Sequence, residues 1–407
     1  MSPDDLVMHG DWADLGQYRA LPRIDHGRLH AWRMGRLHAE MREKDVAMAV
    51  FVSPISLRYA VGYRTYGLFQ AHIPTSYLFV PLDGPIVMHG AYGDVENCDS
   101  TRPARPINVF DGGPDLGDAA RLFAEDVSNH LAECGATNRR VAIEYVNPTI
   151  TMALLQRGIE VIDGVQISEM ARVIKNEDEV ACIRWACAVA ELGIAKVQEA
   201  LRPGVSELQL WGLLNYTNLA NDGDWHDGRM LASGPRINPW LQEASPRRVE
   251  AGDLVGFDTD MIGPMGYCAD ISRTIFCGPG RPSRRQKELY RLAVAEIEHN
   301  LGLVAPGITL NDFQARAFPV PEEFQKQAYT CVVHAVGMCD EYPRINPIFR
   351  GPNPYDGVIE AGMVLCIESY MGAVGERDGV KLEQQVLVTE TGYEPLSTYP
   401  LDADLLD

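Results

Sequence analysis

The sequence predicts an α/β domain over residues 1–167, followed by an α+β domain over residues 168–407 with a mostly antiparallel sheet. Three observations carry this prediction. In the first third, amphipathic helical patterns alternate with short apolar strands. In the remainder, helices and strands fall in separate blocks. Several of those later strands also carry isolated acidic residues in otherwise apolar surroundings.

The elements follow in order. "RLHAWRMGRLHAEMREKDV" has helical spacing and runs into the strand "AMAVFVS". "SYLFVPLDGPIVMHG" reads as two strands around an Asp-Gly turn, and "RVAIEYV" as a further strand before the domain ends near Ile167. The second domain opens with "KNEDEVACIRWACAVAELGIAKVQEALRPG". Asn176 suits an N-cap, and Glu177, Asp178 and Glu179 suit the positive end of a helix. Val180, Ile183, Cys187, Ala190, Ile194, Val197 and Leu201 form a core-facing stripe, and Pro203-Gly204 ends the helix. A second helix is expected at "SRRQKELYRLAVAEIEHNLGLV". The strands are "DLVGFDTDMI", "YCADISRTIF", "TCVVHAVG", "GMVLCIESYMG" and "GVKLEQQVLVT".

Composition narrows the function classes. With 407 residues, 46% hydrophobic and 23% charged, the chain can bury two sizeable cores. No stretch approaches the ~20 apolar residues of a membrane span. The N-terminal stretch is polar, without the apolar core of a signal peptide, and nine scattered cysteines suit reduced thiols in a cytoplasm. A net charge of -20 argues against nucleic acid or an anionic membrane as partner and tolerates a cationic small substrate.

The acidic residues inside the strands point to chemistry. A period of two places Asp258 and Asp260 on one face of "DLVGFDTDMI", and the next strand returns with Asp270. Downstream, His334, Glu368 and Glu383 each lie in an apolar strand. Five buried like charges without compensation would cost more than a domain's net stability, so divalent metal ions are the expected partners. Carboxylates with one imidazole suit Fe²⁺, Mn²⁺, Co²⁺ or Zn²⁺, and bridging carboxylates suit two ions.

The ordered set is an Asp-bearing hairpin ending in Asp-x-Ser-Arg-Thr, then His-x-x-Gly, then two glutamates. It resembles the creatinase, prolidase and methionine aminopeptidase superfamily. The resemblance implies a "pita-bread" catalytic domain behind a smaller creatinase-like α/β domain, in a homodimer. It also implies two divalent ions, iron foremost, with zinc, manganese, cobalt or nickel as alternatives. Asp270 and Glu383 would bridge them, with Asp258 and Asp260 on one ion and His334 and Glu368 on the other.

Two features depart from the peptidases of that superfamily. The position seven residues after His334, where they carry a histidine, is Glu341; the stretch "SGPRINPWLQEASPRRVEAGD" has no histidine either. Asp260 also replaces the small residue usual in peptidases. Together "SGPRINPW", "DTD", "ADISRT" and "HAVGMCDEYP" with Tyr329 resemble the metal-dependent dimethylsulfoniopropionate lyases of the DddP type.

That resemblance implies a lyase yielding dimethyl sulfide and acrylate, with Asp340 as catalytic base and Tyr329 in the substrate pocket. The residues alone read Asp340 and Glu341 as surface loop carboxylates. A sulfonium favours aromatic faces, for which Trp225, Trp240, Tyr329 and Tyr355 are candidates, Trp240 being kept beside Tyr329. Arg273 and Arg344 either pair with site carboxylates or lie on the surface. The alternatives are an Xaa-Pro metallopeptidase and a hydrolase of another small cationic metabolite.

Overall fold

The computed structural model describes residues 22–407. The polar N-terminal stretch read above lies largely outside the described residues. Two compact units emerge, one spanning Asp25–Arg172 and the other Val173–Asp407 together with residues 22–24.

The first unit opens with the helix His26–Glu43, where Asp25 caps the N-terminus by accepting from the Arg28 N–H at 3.0 Å. Six strands form one mixed sheet. Met48–Phe51 lies in it, antiparallel to Tyr77–Pro81 and parallel to Arg140–Ile143. Tyr77–Pro81 and Val87–His89 form the hairpin expected around the Asp-Gly turn. Val50, Phe79, Phe123, Val141 and Leu154 pack into its core.

The second unit has the α+β architecture that the strand and helix blocks predict. The helix Glu177–Ala200 starts in a full capping box: Asn176 accepts from the Glu179 N–H at 2.9 Å, and Glu179 accepts from the Asn176 N–H at 3.2 Å. Burial extends well beyond the predicted stripe and includes Glu191, whose carboxylate accepts the Thr398 and Tyr399 N–H groups. The helix Arg284–Leu301 likewise starts in a capping box, from Ser283 and Gln286.

Among the described residues, five strands form an antiparallel sheet in the order Asp340–Ile345, Val333–Val336, Val364–Gly372, Gly379–Thr389, Gly392–Pro395. All nine residues of Val364–Gly372 are buried.

The aspartate hairpin departs from its prediction. "DLVGFDTDMI" is not one strand, because the ladder Leu254–Asp258 stops and a separate strand, Met261–Ile262, begins after Asp260. The return arm breaks likewise, into Cys268–Ala269 and Ser272–Phe276, with Asp270 in the gap. Asp260 has φ 35°, the left-handed region that aspartate tolerates better than most side chains. Period-two alternation therefore ends at Asp258, and the turned backbone at Asp260 sets that side chain's direction. Thr259 ties the two breaks together: its hydroxyl donates to Ala269 O at 2.7 Å and accepts from the Ile271 N–H at 3.0 Å.

Candidate metal centre

The six predicted ligands come from five places: the first hairpin break with Asp258 at the strand end before it, the second break, and the strands Val333–Val336, Val364–Gly372 and Gly379–Thr389. Glu368 and Glu383 are directly opposite in the antiparallel register. Like charges in that position repel, so the sheet itself does not favour this pair. His334 pairs with Cys366 across the other edge of the same strand. Asp270 is anchored by Gln385, whose Oε1 accepts the Asp270 N–H at 2.9 Å while its Nε2 donates to Cys268 O at 3.2 Å.

The side chains converge. His334 Nε2 stands 3.4 Å from Glu368 Oε1, 3.5 Å from Glu383 Oε1 and 3.7 Å from Asp270 Oδ2. Three sets of donor atoms lie within 4.8 Å of one another: Asp270, His334, Cys366 and Glu383; Asp258, Glu368 and Glu383; and Asp258, Asp260 and Asp270. All the ligand residues are buried except Asp260, which is half-buried.

The donors fit divalent cations. Asp258 Oδ1, Asp270 Oδ1, Glu368 Oε1 and Glu383 Oε1 are buried without a hydrogen bond. Leaving such atoms unsatisfied costs about 1–3 kcal/mol each, more when they are charged. The cluster is also short of positive charge. Burial, then Glu383, pushes Asp258 up to about 6 and Glu368 up to about 7. Burial and neighbouring carboxylates raise Asp260 and Asp270 well above the usual range. Burial also acts to raise Glu383, but Lys381 and His334 outweigh it and hold that carboxyl well below. A buried set of carboxylate oxygens with one imidazole, carrying more acid than its own cations can balance, suits one or two divalent metal ions.

Sequence reasoning missed three members of this site. Lys381 is fully buried, with its ammonium 2.6 Å from Glu368 Oε2 and 3.0 Å from Asp258 Oδ2. Ser272 Oγ donates to Glu383 Oε2 at 2.9 Å. Cys366 joins one donor set, although burial, Glu383 and Asp270 raise its thiol well above the ordinary value. A signal for Lys381 existed, since it sits two residues before Glu383 in an apolar strand and so shares its face.

Residues around the cluster divide in ways the sequence left open. Asp340 and Glu341 are not both surface carboxylates. The Asp340 side chain is 70% exposed, and its Oδ1 lies 3.5 Å from His334 Nδ1. Glu341 is buried, pairs with the buried Lys175 at 2.8 Å, and accepts from the Met338 N–H at 3.1 Å. Gly337 makes room for that carboxylate, since a Cβ there would collide with it. His226 is turned away from the cluster, with Nδ1 2.6 Å from Thr259 O and its ring against Trp211.

Neither arginine pairs with a site carboxylate. Arg273 is buried and donates to the backbone carbonyls of Ser272, Glu383 and Tyr399; Arg344 donates to Thr330 O. The aromatic candidates also separate. The Lys381 ammonium lies 4.6 Å from the Tyr329 ring centre and 5.9 Å from that of Trp240. Trp240 is packed in the apolar cluster with Ile237, Leu254 and Tyr370, and Tyr329 is half-buried against that cluster. Trp225 donates to Asp227 Oδ1 at 2.8 Å, and Tyr355 packs on Tyr342.

Comparison with known proteins agrees with this architecture. Residues 181–390 match the metallopeptidase family M24, and residues 33–180 match the creatinase/prolidase N-terminal domain. The chain is 35% identical to a dimethylsulfoniopropionate lyase DddP of Roseovarius nubinhibens, over 100% of this chain and 93% of that protein. It is 32% identical to a dimethylsulfoniopropionate lyase DddP of Roseobacter denitrificans, over 97% and 89% of the two chains. In fold it resembles an Xaa-Pro dipeptidase from Bacillus anthracis, with a TM-score of 0.74 and 20% identity, over 92% of this chain and 99% of that one. No helix among the described residues is long and apolar enough to cross a membrane. With its fold, its buried acid–histidine cluster and these matches, the chain belongs to metallopeptidase family M24, within the pita-bread superfamily of metallopeptidases and lyases.

Proposed function

We propose that this protein is a lyase that cleaves dimethylsulfoniopropionate to dimethyl sulfide and acrylate. The observation that carries the reading is the fate of the two carboxylates after the ligand histidine. Glu341, at the position where peptidases keep a histidine, is locked in a buried ion pair with Lys175. Asp340 beside it is exposed at the edge of the cluster, 3.5 Å from His334. A peptidase needs a group to protonate its leaving amine, whereas this elimination needs only a base. The full-length similarity to two lyases of this type adds support.

In this reading Asp258 and Asp260 would hold one divalent ion and His334 and Glu368 the other, with Asp270 and Glu383 available to both. Bound ions would supply stabilisation of the negative charge that develops on the substrate carboxylate. Asp340 takes the proton α to that carboxylate. The released electron pair becomes the carbon–carbon double bond of acrylate as the carbon–sulfur bond breaks. Dimethyl sulfide departs neutral, so no general acid is required. Tyr329 forms part of the pocket wall, with Trp240 packed in the layer behind. Lys381 already occupies the cation-binding place beside both rings, so the sulfonium is held elsewhere in the pocket.

Headspace gas chromatography on metal-loaded protein tests the proposal, with dimethyl sulfide release expected. Turnover no faster than a buffer blank across Fe, Mn, Zn, Co and Ni would end it. Asp340→Asn is expected to lower turnover by about 10²–10⁴-fold while leaving metal content intact. Metal loss in that variant would instead assign Asp340 to orienting the His334 ring. Cleavage of Xaa-Pro dipeptides at ordinary enzymatic rates would favour the peptidase reading, which the metallopeptidase family match supports.

A further inference from the structure

Lys381 divides the oxygens of the acid cluster into two classes. Its ammonium stands 2.6 Å from Glu368 Oε2, 3.0 Å from Asp258 Oδ2 and 3.5 Å from Glu383 Oε2. It also donates to Ser272 Oγ at 2.6 Å, and that hydroxyl donates onward to Glu383 Oε2 at 2.9 Å. The opposite oxygens, Asp258 Oδ1, Glu368 Oε1 and Glu383 Oε1, have no hydrogen bond. One oxygen of each carboxylate is therefore held by the protein and the other is not.

The three residues of one donor set, Asp258, Glu368 and Glu383, each turn one oxygen toward the Lys381 ammonium, which leaves the opposite oxygens for metal ions. Charge agrees with this division. Asp258, Asp260, Asp270, Glu368 and Glu383 bring five negative charges when ionised, and two divalent ions would leave one uncompensated. A fully buried ammonium supplies the remaining positive charge, where an unpaired buried charge would be costly.

We propose that Lys381, acting with Ser272, is a positioning residue that keeps Asp258 and Glu368 to one metal-facing oxygen each. The proposal rests on the two-metal reading of the site. It concerns how the ligands are held, and is independent of whether the substrate is a sulfonium or a peptide. Partners outside the ligand shell commonly tune metal sites in this way.

The test is the visible absorption spectrum of the Co²⁺-loaded full-length protein, which reports ligand number and geometry without any turnover. In Lys381→Met the freed oxygens of Glu368 and Asp258 turn to the ions, coordination number rises, and most of the visible intensity is lost. Lys381→Arg, which keeps the charge and the donors, retains the parent bands. An unchanged spectrum in Lys381→Met overturns the proposal. Loss of the bands in both variants also overturns it, because that pattern assigns the effect to packing. Circular dichroism checks folding. If Lys381→Met does not fold, Ser272→Ala decides, with altered bands supporting the proposal and unchanged bands overturning it. Failure of the parent protein to take up Co²⁺ would refute the two-metal reading itself, a result distinct from any change among the variants.

Discussion

Glu144 in the first unit and Glu368 in the second are both about 1% exposed, yet their surroundings differ in kind. Glu144 is fully provided for. Its carboxylate accepts from the Val52 and Ser53 N–H groups at 3.0 Å each, from Ser56 Oγ at 2.6 Å and from Ser168 Oγ at 2.7 Å. In Glu368, Oε2 has the Lys381 ammonium while Oε1 has no hydrogen bond and faces His334 and further carboxylates. Burial alone therefore does not mark a functional acid. A buried acid whose oxygens the protein leaves unsatisfied, beside others like it, marks a place prepared for a cation.

Substitutions can break this contrast from either side. The largest effect is expected at Asp270, which the two-metal proposal places between both ions. Asp270→Asn should abolish stable binding of both ions, read by elemental analysis. Activity should fall by more than the roughly 10- to 100-fold typical of partners outside the ligand shell. Retention of two ions per chain would show that Asp270 is not shared.

A smaller effect, of a different type, is expected in the first unit. Glu144→Ala strips acceptors from two buried N–H groups and two hydroxyls and should lower unfolding stability by about 3 kcal/mol. Metal content should not change. Urea unfolding beside elemental analysis separates the two outcomes, and metal loss in this variant would collapse the contrast.

The effect that is smallest per step measured, because it is spread over several pH units, is expected at Glu296. Its carboxylate accepts from Ser369 Oγ at 2.6 Å; burial, with Glu368 adding, raises its pKa from 4.5 to about 8. Below about pH 4 the group is protonated in both folded and unfolded chains, and its contribution is intact. As pH rises toward 8 the unfolded chain gives up the proton while the folded one keeps it, so stability falls. Against Glu296→Gln, the parent should lose on the order of 1 kcal/mol per pH unit between about pH 5 and 8. Parallel pH profiles for the two proteins would place the group's ionisation in the ordinary range.

Much of this molecule can be read without coordinates, for identifiable reasons. Helix starts at Asn176 and Ser283 follow from capping chemistry that is local in sequence. The strands containing His334, Glu368 and Glu383 stand out because apolar runs are interrupted by single ionisable residues. Asp258, Asp260 and Asp270 were legible as a group, but the continuous strand through Asp260 was not the one that forms. Alternation assumes extended backbone, and the left-handed turn at Asp260 ends it.

The sequence by itself determined the order of elements, the acid and imidazole inventory, and the class of cation that could satisfy it. These depend on residue type and short spacing. Only the tertiary structure decided that Glu341 is spoken for by Lys175, 166 residues away in the chain, while Asp340 stays exposed. Likewise, only the packing of strands brings Lys381 against Asp258 and aligns Glu368 opposite Glu383. Those contacts join distant segments, and their strength depends on shared burial, which no local pattern encodes.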